Sequence, residues 1–198
     1  MPGLPPPADG ERQTLIGFLR FNQNAFSSVA HGLTDEQARA TPSASALSIG
    51  GLVKHAAGVQ RGWLNRVLAA PEFPEPDARP LEEQMAEYAD QYTMRDDETL
   101  ADLLDDLHTV NNDVLAAFAE KDLDTAVPVP HEVPWFPSDV DFWTVRWVGF
   151  HLLEELTRHA GHADIIRESC DGATMYELMA AHEEWPETDF IKRWRPAG

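Results

Sequence analysis

Between Asp97 and Glu120, Leu100, Leu103, Leu104, Leu107, Val110, Val114 and Phe118 recur at intervals of three and four residues. That period lays an apolar stripe along one face of an α-helix and is incompatible with a strand, whose side chains alternate. Three more segments share it. One runs from about Glu11 to Ala30, with Leu15, Phe18, Leu19, Asn22, Phe26 and Val29 on one face. Another runs from about Ser48 to Ala69, with Ile49, Leu52, Val53, Ala56, Trp63, Leu64 and Val67, and Pro71 stops it. The longest runs from about Asp141 to Cys170 and is followed by Asp171-Gly172. A helix with one apolar face must bury it against another element. Four of them predict an all-α four-helix bundle.

The connections are unequal. Thr34 to Ala46 carries a short capped turn at Thr34-Asp35-Glu36-Gln37, and Pro71 to Pro80 reads as extended chain. Leu81 to Tyr92 reads as a weak helix, and Leu123 to Asp139, rich in proline, as an extended or hairpin-like excursion. The second-to-third and third-to-fourth connections are both long, which predicts two crossings of the bundle. No main segment has a strand pattern or a repeat. The expected division is a flexible lead over 1–10, the bundle over 11–172, and a tail over 173–198. In the tail, Met175 to Glu184 forms a short helix, followed by Trp185, Phe190 and Trp194, packed on the bundle.

Charge and cysteine content exclude several classes. The 34 acidic and 15 basic residues give a net charge of -19, which repels phosphate backbones and anionic lipid. Neither nucleic acid nor membrane is an expected partner. No apolar run reaches the ~20 residues of a membrane span, and the first ten residues lack the basic and apolar regions of a signal peptide. A cytoplasmic location is expected. The single cysteine, Cys170, rules out an intramolecular disulfide and a multi-cysteine zinc site. Its acidic setting, Arg167-Glu168-Ser169-Cys170-Asp171-Gly172, raises a thiol pKa and argues against a nucleophile.

The fourth helical segment is unusual. With ~100° per residue and Glu155 set at zero, His151 falls near -40°, His162 near -20° and His159 near +40°. Val148 and Ile166 both lie near +20°, so the apolar stripe is interrupted by four ionisable groups. Glu155 and His159, four residues apart, can converge on one point, and a carboxylate with an imidazole suits zinc, nickel, iron or manganese. A third ligand is needed. His55, midway along the second helix, flanks its apolar arc and can face the groove between helices. Its small neighbours Gly51, Ala56, Gly58 and Gly62 allow close approach. A buried, hydrogen-bonded Glu-His pair without metal accounts for the same spacing.

At these residues the chain resembles the DinB-like superfamily over roughly 11–172. The resemblance rests on Ser-Ile-Gly-Gly-Leu-Val-Lys-His (Ser48 to His55), on the segment from Glu154 to Glu168, and on the order and spacing of the loops between them. Asp171 to Thr174 and Trp185 to Asp189 are similar to an actinobacterial branch of that superfamily. The resemblance implies a four-helix bundle with long crossovers and a metal site between the second and fourth helices. The usual pattern has one His on the second helix and two on the fourth, four apart. Here Glu155 stands at the first of those two positions, and His159-Ala160-Gly161 matches the second. This departure is similar to the mycothiol-dependent maleylpyruvate isomerase branch, for which His-Glu-His is expected. The implied ligands are therefore His55, Glu155 and His159, with His162, His151 and Glu154 around them. The implied cofactor is a divalent metal, zinc or else nickel. The implied activity is that of a thiol S-transferase or isomerase, in which a low-molecular-weight thiol such as mycothiol is ionised on the metal and attacks an electrophile. Relatives are compatible with a homodimer.

Around such a site, Arg66, Arg158, Trp63 and Trp135 are candidates for holding substrate, with solvated arginines and core aromatics as the plainer readings. The excursion carrying His131 and Trp135 is placed to act as a lid. No catalytic residue of the protein's own is assigned. The other functions open to the same residues are a non-catalytic metal binder, a metal-dependent hydrolase assisted by Glu154 or His162, and a purely structural core network.

Overall fold

The computed structural model describes residues 3–131, 133 and 136–196. Among them, α1 (Gly10–Ala30), α3 (Ile49–Ala69), α5 (Leu100–Glu120) and α6 (Val145–Asp171) are the long helices, and α2 (Asp35–Arg39), α4 (Leu81–Asp90) and α7 (Met175–His182) are short. Hydroxyl side chains start three of the long helices. Ser48, Thr99 and Thr144 accept from the backbone N–H groups of Gly51, Asp102 and Trp147, each three residues on. α6 ends where Gly172 turns left-handed at φ 78°.

The bundle is DinB-like and all-α apart from one small hairpin. The relative directions of its helices can be read from side-chain pairs. Lys54 reaches Glu98, Gln60 reaches Asn111, and Lys121 reaches the carbonyl of Leu68, so α3 and α5 run parallel. Arg146 meets Glu11, Thr157 meets Asn22 and Arg167 meets Val29, so α1 and α6 also run parallel. α3 opposes α6, because His55 lies by His159 while Trp63 lies by Trp147. The direction order is up, down, down, up. α1 packs against α6 and α5, and α3 packs against α5 and α6, which puts α1 diagonal to α3 and α5 diagonal to α6.

Both long connections cross the bundle. The one between α3 and α5 joins parallel neighbours and must return over a full helix length, ~30 Å for 21 residues. The one over 121–144 steps across the diagonal, as does the shorter link over 31–48. Two expectations need correcting. The fourth long helix begins at Val145 rather than about Asp141. Phe142–Thr144 pairs antiparallel with Ala126–Pro128, Val127 facing Trp143, and Thr144 then caps the helix. In addition, Phe18 lies outside the core, 44% exposed, whereas its neighbours Leu15, Leu19 and Phe26 are buried.

Besides the buried Ser28, Ser48 and His55, the described core holds two polar networks. Gln23, Gln60 and Asn111 form a buried amide chain in which Gln23 donates to Gln60 at 2.8 Å and Gln60 donates to Asn111 at 2.8 Å, tying three helices at one level. The fully buried Arg167 donates to the carbonyls of Val29 and His31 and pairs with Asp171 at 3.0 Å. Trp194 lies over its guanidinium at 4.7 Å, which pins the C-terminal tail to the bundle.

Candidate metal centre

α3 and α6 run antiparallel, so the second turn of α3 meets the middle of α6. His55, buried at 5% exposure, points at the polar stripe of α6. Its Nε2 lies 3.9 Å from Glu155 Oε2, and His159 Nε2 lies 3.5 Å from the same oxygen. One ligand atom from each of the three falls within 4.8 Å of the others. A tetrahedral zinc with bonds of ~2.0–2.1 Å holds its ligand atoms about 3.4 Å apart, so the triad is near the geometry a cation needs. Glu155 and His159 are only half-buried, which leaves one side open to an exogenous ligand.

The protonation states suit a metal. Burial, then the neighbouring His159, pushes His55 below the usual imidazole value; Gln91 and Glu155 oppose this without reversing it. Burial also lowers His159, against the opposing pull of Glu155. Both rings are therefore neutral near pH 7, the form that offers a lone pair. Gln91 Oε1 sits 3.2 Å from His55 Nδ1 and can only accept, so Nδ1 carries the proton and Nε2 presents its lone pair. Nδ1 of His159 is buried with no hydrogen-bond partner among the described residues. A cation held between the two Nε2 atoms and Glu155 Oε2 would not reach that nitrogen, so the fit rests on the donor set, two neutral imidazoles and one carboxylate. The residues present fit a divalent metal.

Tyr92, which the sequence did not single out, stacks on His55 with ring centroids 4.1 Å apart and places its hydroxyl 3.3 Å from Nε2. Burial, then Glu155 and Tyr88, raises its pKa and keeps it a neutral phenol. Gln91 and Tyr92 follow α4 on the return from α3 to α5. Gly51 sets their position: a Cβ there would lie 1.9 Å from the carbonyl oxygen of Tyr92. Lys54 clamps the same segment through Asp90 at 2.7 Å, Glu98 at 2.8 Å and the carbonyl of Thr93. Ala56 is buried as expected, but Gly58 and Gly62 face open space and make no close approach.

The surrounding residues divide. His151 lies 4.0 Å from Glu155 and 3.5 Å from Glu154. His162 is exposed, its ring 5.5 Å from that of His159. Glu154 is exposed and bridges to the solvent-facing Arg158 at 3.2 Å. Arg66 lies 6.0 Å over the ring of Trp63 and lines a separate cavity beside Pro74 and Pro76. Trp63 itself is buried next to His151, in edge contact at 4.8 Å. His131 is exposed near Asp141, and Trp135 lies outside the described residues. Asn22 accepts from Thr157 at 3.0 Å on the surface, while the adjacent Gln23 takes the buried place.

A family model described as mycothiol-S-transferase matches residues 14–172. The chain belongs to the mycothiol S-transferase family. No match to a curated protein was found. Family membership implies a small-molecule thiol as partner. No helix among the described residues is long and apolar enough to cross a membrane.

Proposed function

We propose that this protein is a metal-dependent thiol S-transferase or isomerase that directs a low-molecular-weight thiol of the mycothiol kind onto a small electrophile. The observation that carries this reading is the convergence of His55, Glu155 and His159, with both imidazoles neutral and one side open. A divalent cation, zinc foremost and nickel second, supplies Lewis acidity there and favours the thiolate form of a bound thiol near neutral pH. Glu155 adds one negative charge, so a dication keeps a net positive charge at the centre, which suits an anionic sulfur.

The chain's own groups hold and orient. Gln91 selects the tautomer of His55, and Tyr92 covers its ring and presents a neutral hydroxyl beside Nε2. Cys170 is an unsuitable nucleophile, since burial and then Asp171 raise its pKa. It also lies eleven residues beyond His159, about 16 Å along α6. A borrowed thiol fits a protein without a placed nucleophile. The cytoplasm, which keeps small thiols reduced, is the proposed setting.

The test is elemental analysis of the purified protein beside Glu155→Ala and His159→Ala, with thiol consumption measured against an alkylating electrophile. About one zinc or nickel per chain, lost in both variants together with thiol consumption while the helical signal survives, supports the reading. A wild type that cannot be loaded with metal overturns it. Ester or amide cleavage without added thiol replaces it with a hydrolase.

A further inference from the structure

The row of side chains four residues apart that ends in the triad begins at Trp143, two residues before α6. Trp143, Trp147 and His151 stack in sequence, with centroids 4.9 Å and then 5.1 Å apart and planes within 16° of parallel. Glu155 and His159 continue the same row. Across the groove, Trp63 stands nearly edge-on to Trp143 at 5.2 Å and to His151 at 4.8 Å. Phe136 closes one wall edge-on to Trp143 at 5.1 Å. Together with Phe142 these rings bound a cavity of about 730 Å³ whose metal-facing end is His151. That size is in the range of small-molecule sites, ~300–1,000 Å³.

Two features define the occupant. Trp147 and Phe142 are 41% and 56% exposed although they line a concavity, so apolar ring surface is held open to solvent there. The described lining residues include no Lys, Arg, Asp or Glu, and the hydroxyl of Thr144 already caps α6 through Trp147 N–H. The other side-chain polar groups of the described lining are His151, with Glu154 and Glu155 behind it, and the indole N–H donors of Trp63, Trp143 and Trp147. A carboxylate ligand would lose its hydration, meet no Lys or Arg in the described lining, and stand near Glu154. A planar uncharged ring would bury its faces against indole and phenyl groups.

We propose that this aromatic cavity is the electrophile site and that it takes planar, uncharged, aromatic electrophiles in preference to dicarboxylates. The proposal rests on the thiol-transfer reading, because adjacency to Glu155 through His151 is what delivers the reacting carbon to the triad. For a haloaromatic occupant, the thiolate sulfur forms the C–S bond, the C–halogen bond breaks, the halide leaves with the bonding pair, and the thiol proton goes to solvent.

The test separates binding from turnover. Calorimetric titration with 1,3-dinitrobenzene, which is planar, uncharged and has no leaving halide, is run on the metal-loaded wild type, Trp147→Ala and Phe142→Ala, with maleate as the dianionic comparison. Both side chains are exposed, so both variants are expected to fold and keep their metal. Binding to the wild type, weakened about tenfold or more in each variant, with no binding of maleate, supports the assignment. So does a rise of similar size in KM for 1-chloro-2,4-dinitrobenzene with the thiol KM unchanged. Equal dinitrobenzene binding in wild type and both variants, or tighter binding of maleate, overturns it. If no thiol is consumed while dinitrobenzene binding remains sensitive to Trp147, the transferase reading fails and the aromatic site stands.

Discussion

Gly51→Ala tests whether the return segment holds the metal centre together, and α3 contains its own controls. The added methyl would sit 1.9 Å from the Tyr92 carbonyl oxygen, and that oxygen is backbone. To reach an ordinary contact of ~3.2 Å, the chain at Tyr92 must retreat by more than 1 Å. His55 then loses the Gln91 contact at 3.2 Å and the Tyr92 contact at 3.3 Å, which are its tautomer lock and its cover. Partners of this kind are worth ~10–100-fold in metal affinity. Stability moves less, because overpacking costs about 1–3 kcal/mol while alanine regains up to ~1 kcal/mol of helix propensity. Gly58→Ala and Gly62→Ala, where a Cβ meets nothing within 4 Å, carry only the propensity gain of about 0.5–1 kcal/mol. The assay is a competitive zinc titration with a chromophoric chelator, alongside urea unfolding of each apo-protein. Expected is a zinc affinity lowered 10–100-fold in Gly51→Ala and unchanged in both controls. Wild-type zinc affinity in Gly51→Ala would refute the claim that Gln91 and Tyr92 orient His55.

Four other outcomes are expected. Gln60→Leu removes the 2.8 Å acceptor of the buried Gln23 amide, which keeps only its 3.4 Å contact to the Asn111 backbone carbonyl, and leaves Asn111 Oδ1 without its donor, so urea unfolding should show a loss of about 1–3 kcal/mol. Metal binding should weaken on acidification, because a proton and a cation compete for His55 and His159, and the loss should set in below the usual imidazole range because both pKa values are lowered in the fold. Those two imidazoles, whose pKa values are lowered on folding, also bind fewer protons in the native than in the unfolded state below 6.5. The metal-free fold therefore loses stability as pH falls from 6.5 toward their native values, a slope that His159→Gln should reduce in pH-dependent denaturation. Burial and then Glu168 push Asp164 up to about 6, so its folded state takes up a proton before the unfolded state does, and its penalty, present above pH ~6, disappears as pH falls toward 3.8. Asp164→Asn should stabilise the protein at pH 8 by about 1–2 kcal/mol, allowing for solvent screening, and should have no effect near pH 4.

The four long helices were legible because a period of 3.6 is imposed by burial of one face, and burial of one face is what holds this bundle together. The triad was legible for a related reason: Glu155 and His159 interrupt an apolar stripe, and an interruption is visible without knowing the partner helix. What escaped depends on contacts distant in sequence. The strands Ala126–Pro128 and Phe142–Thr144 are three residues each, too short to show alternation. Gln23 and Asn22 are adjacent amides, and a rotation of α1 by a fraction of a turn decides which is buried. Nothing local marks Gln91 and Tyr92, since no residue of α4 is buried and the segment ahead of them reads as a weak surface helix. Arg167 looked like any helix-surface arginine, and its burial follows from the carbonyls that α1 leaves open at its C-terminus.

The topology explains why the missed residues are the ones that complete the centre. Antiparallel packing of α3 on α6 brings His55 to Glu155 and His159, but two helices alone leave the outer ring face and Nδ1 of His55 facing water. The parallel packing of α3 on α5 then requires the chain to travel back along the bundle before α5 can begin. That return passes over the N-terminal half of α3, where Gly50 and Gly51 present no side chain and Met94 and Tyr92 press onto them. Lys54, one residue before His55, fixes the register through Asp90 and Glu98 on either side of the contact. The same helix order that lengthens the connection thus delivers an acceptor to Nδ1 and a ring to the face of His55. A bundle with α3 and α5 antiparallel could join them by a short loop and would have to find both groups elsewhere. Loss of Lys54 should therefore act on the metal centre through the return segment, even though its ammonium touches none of the three ligands.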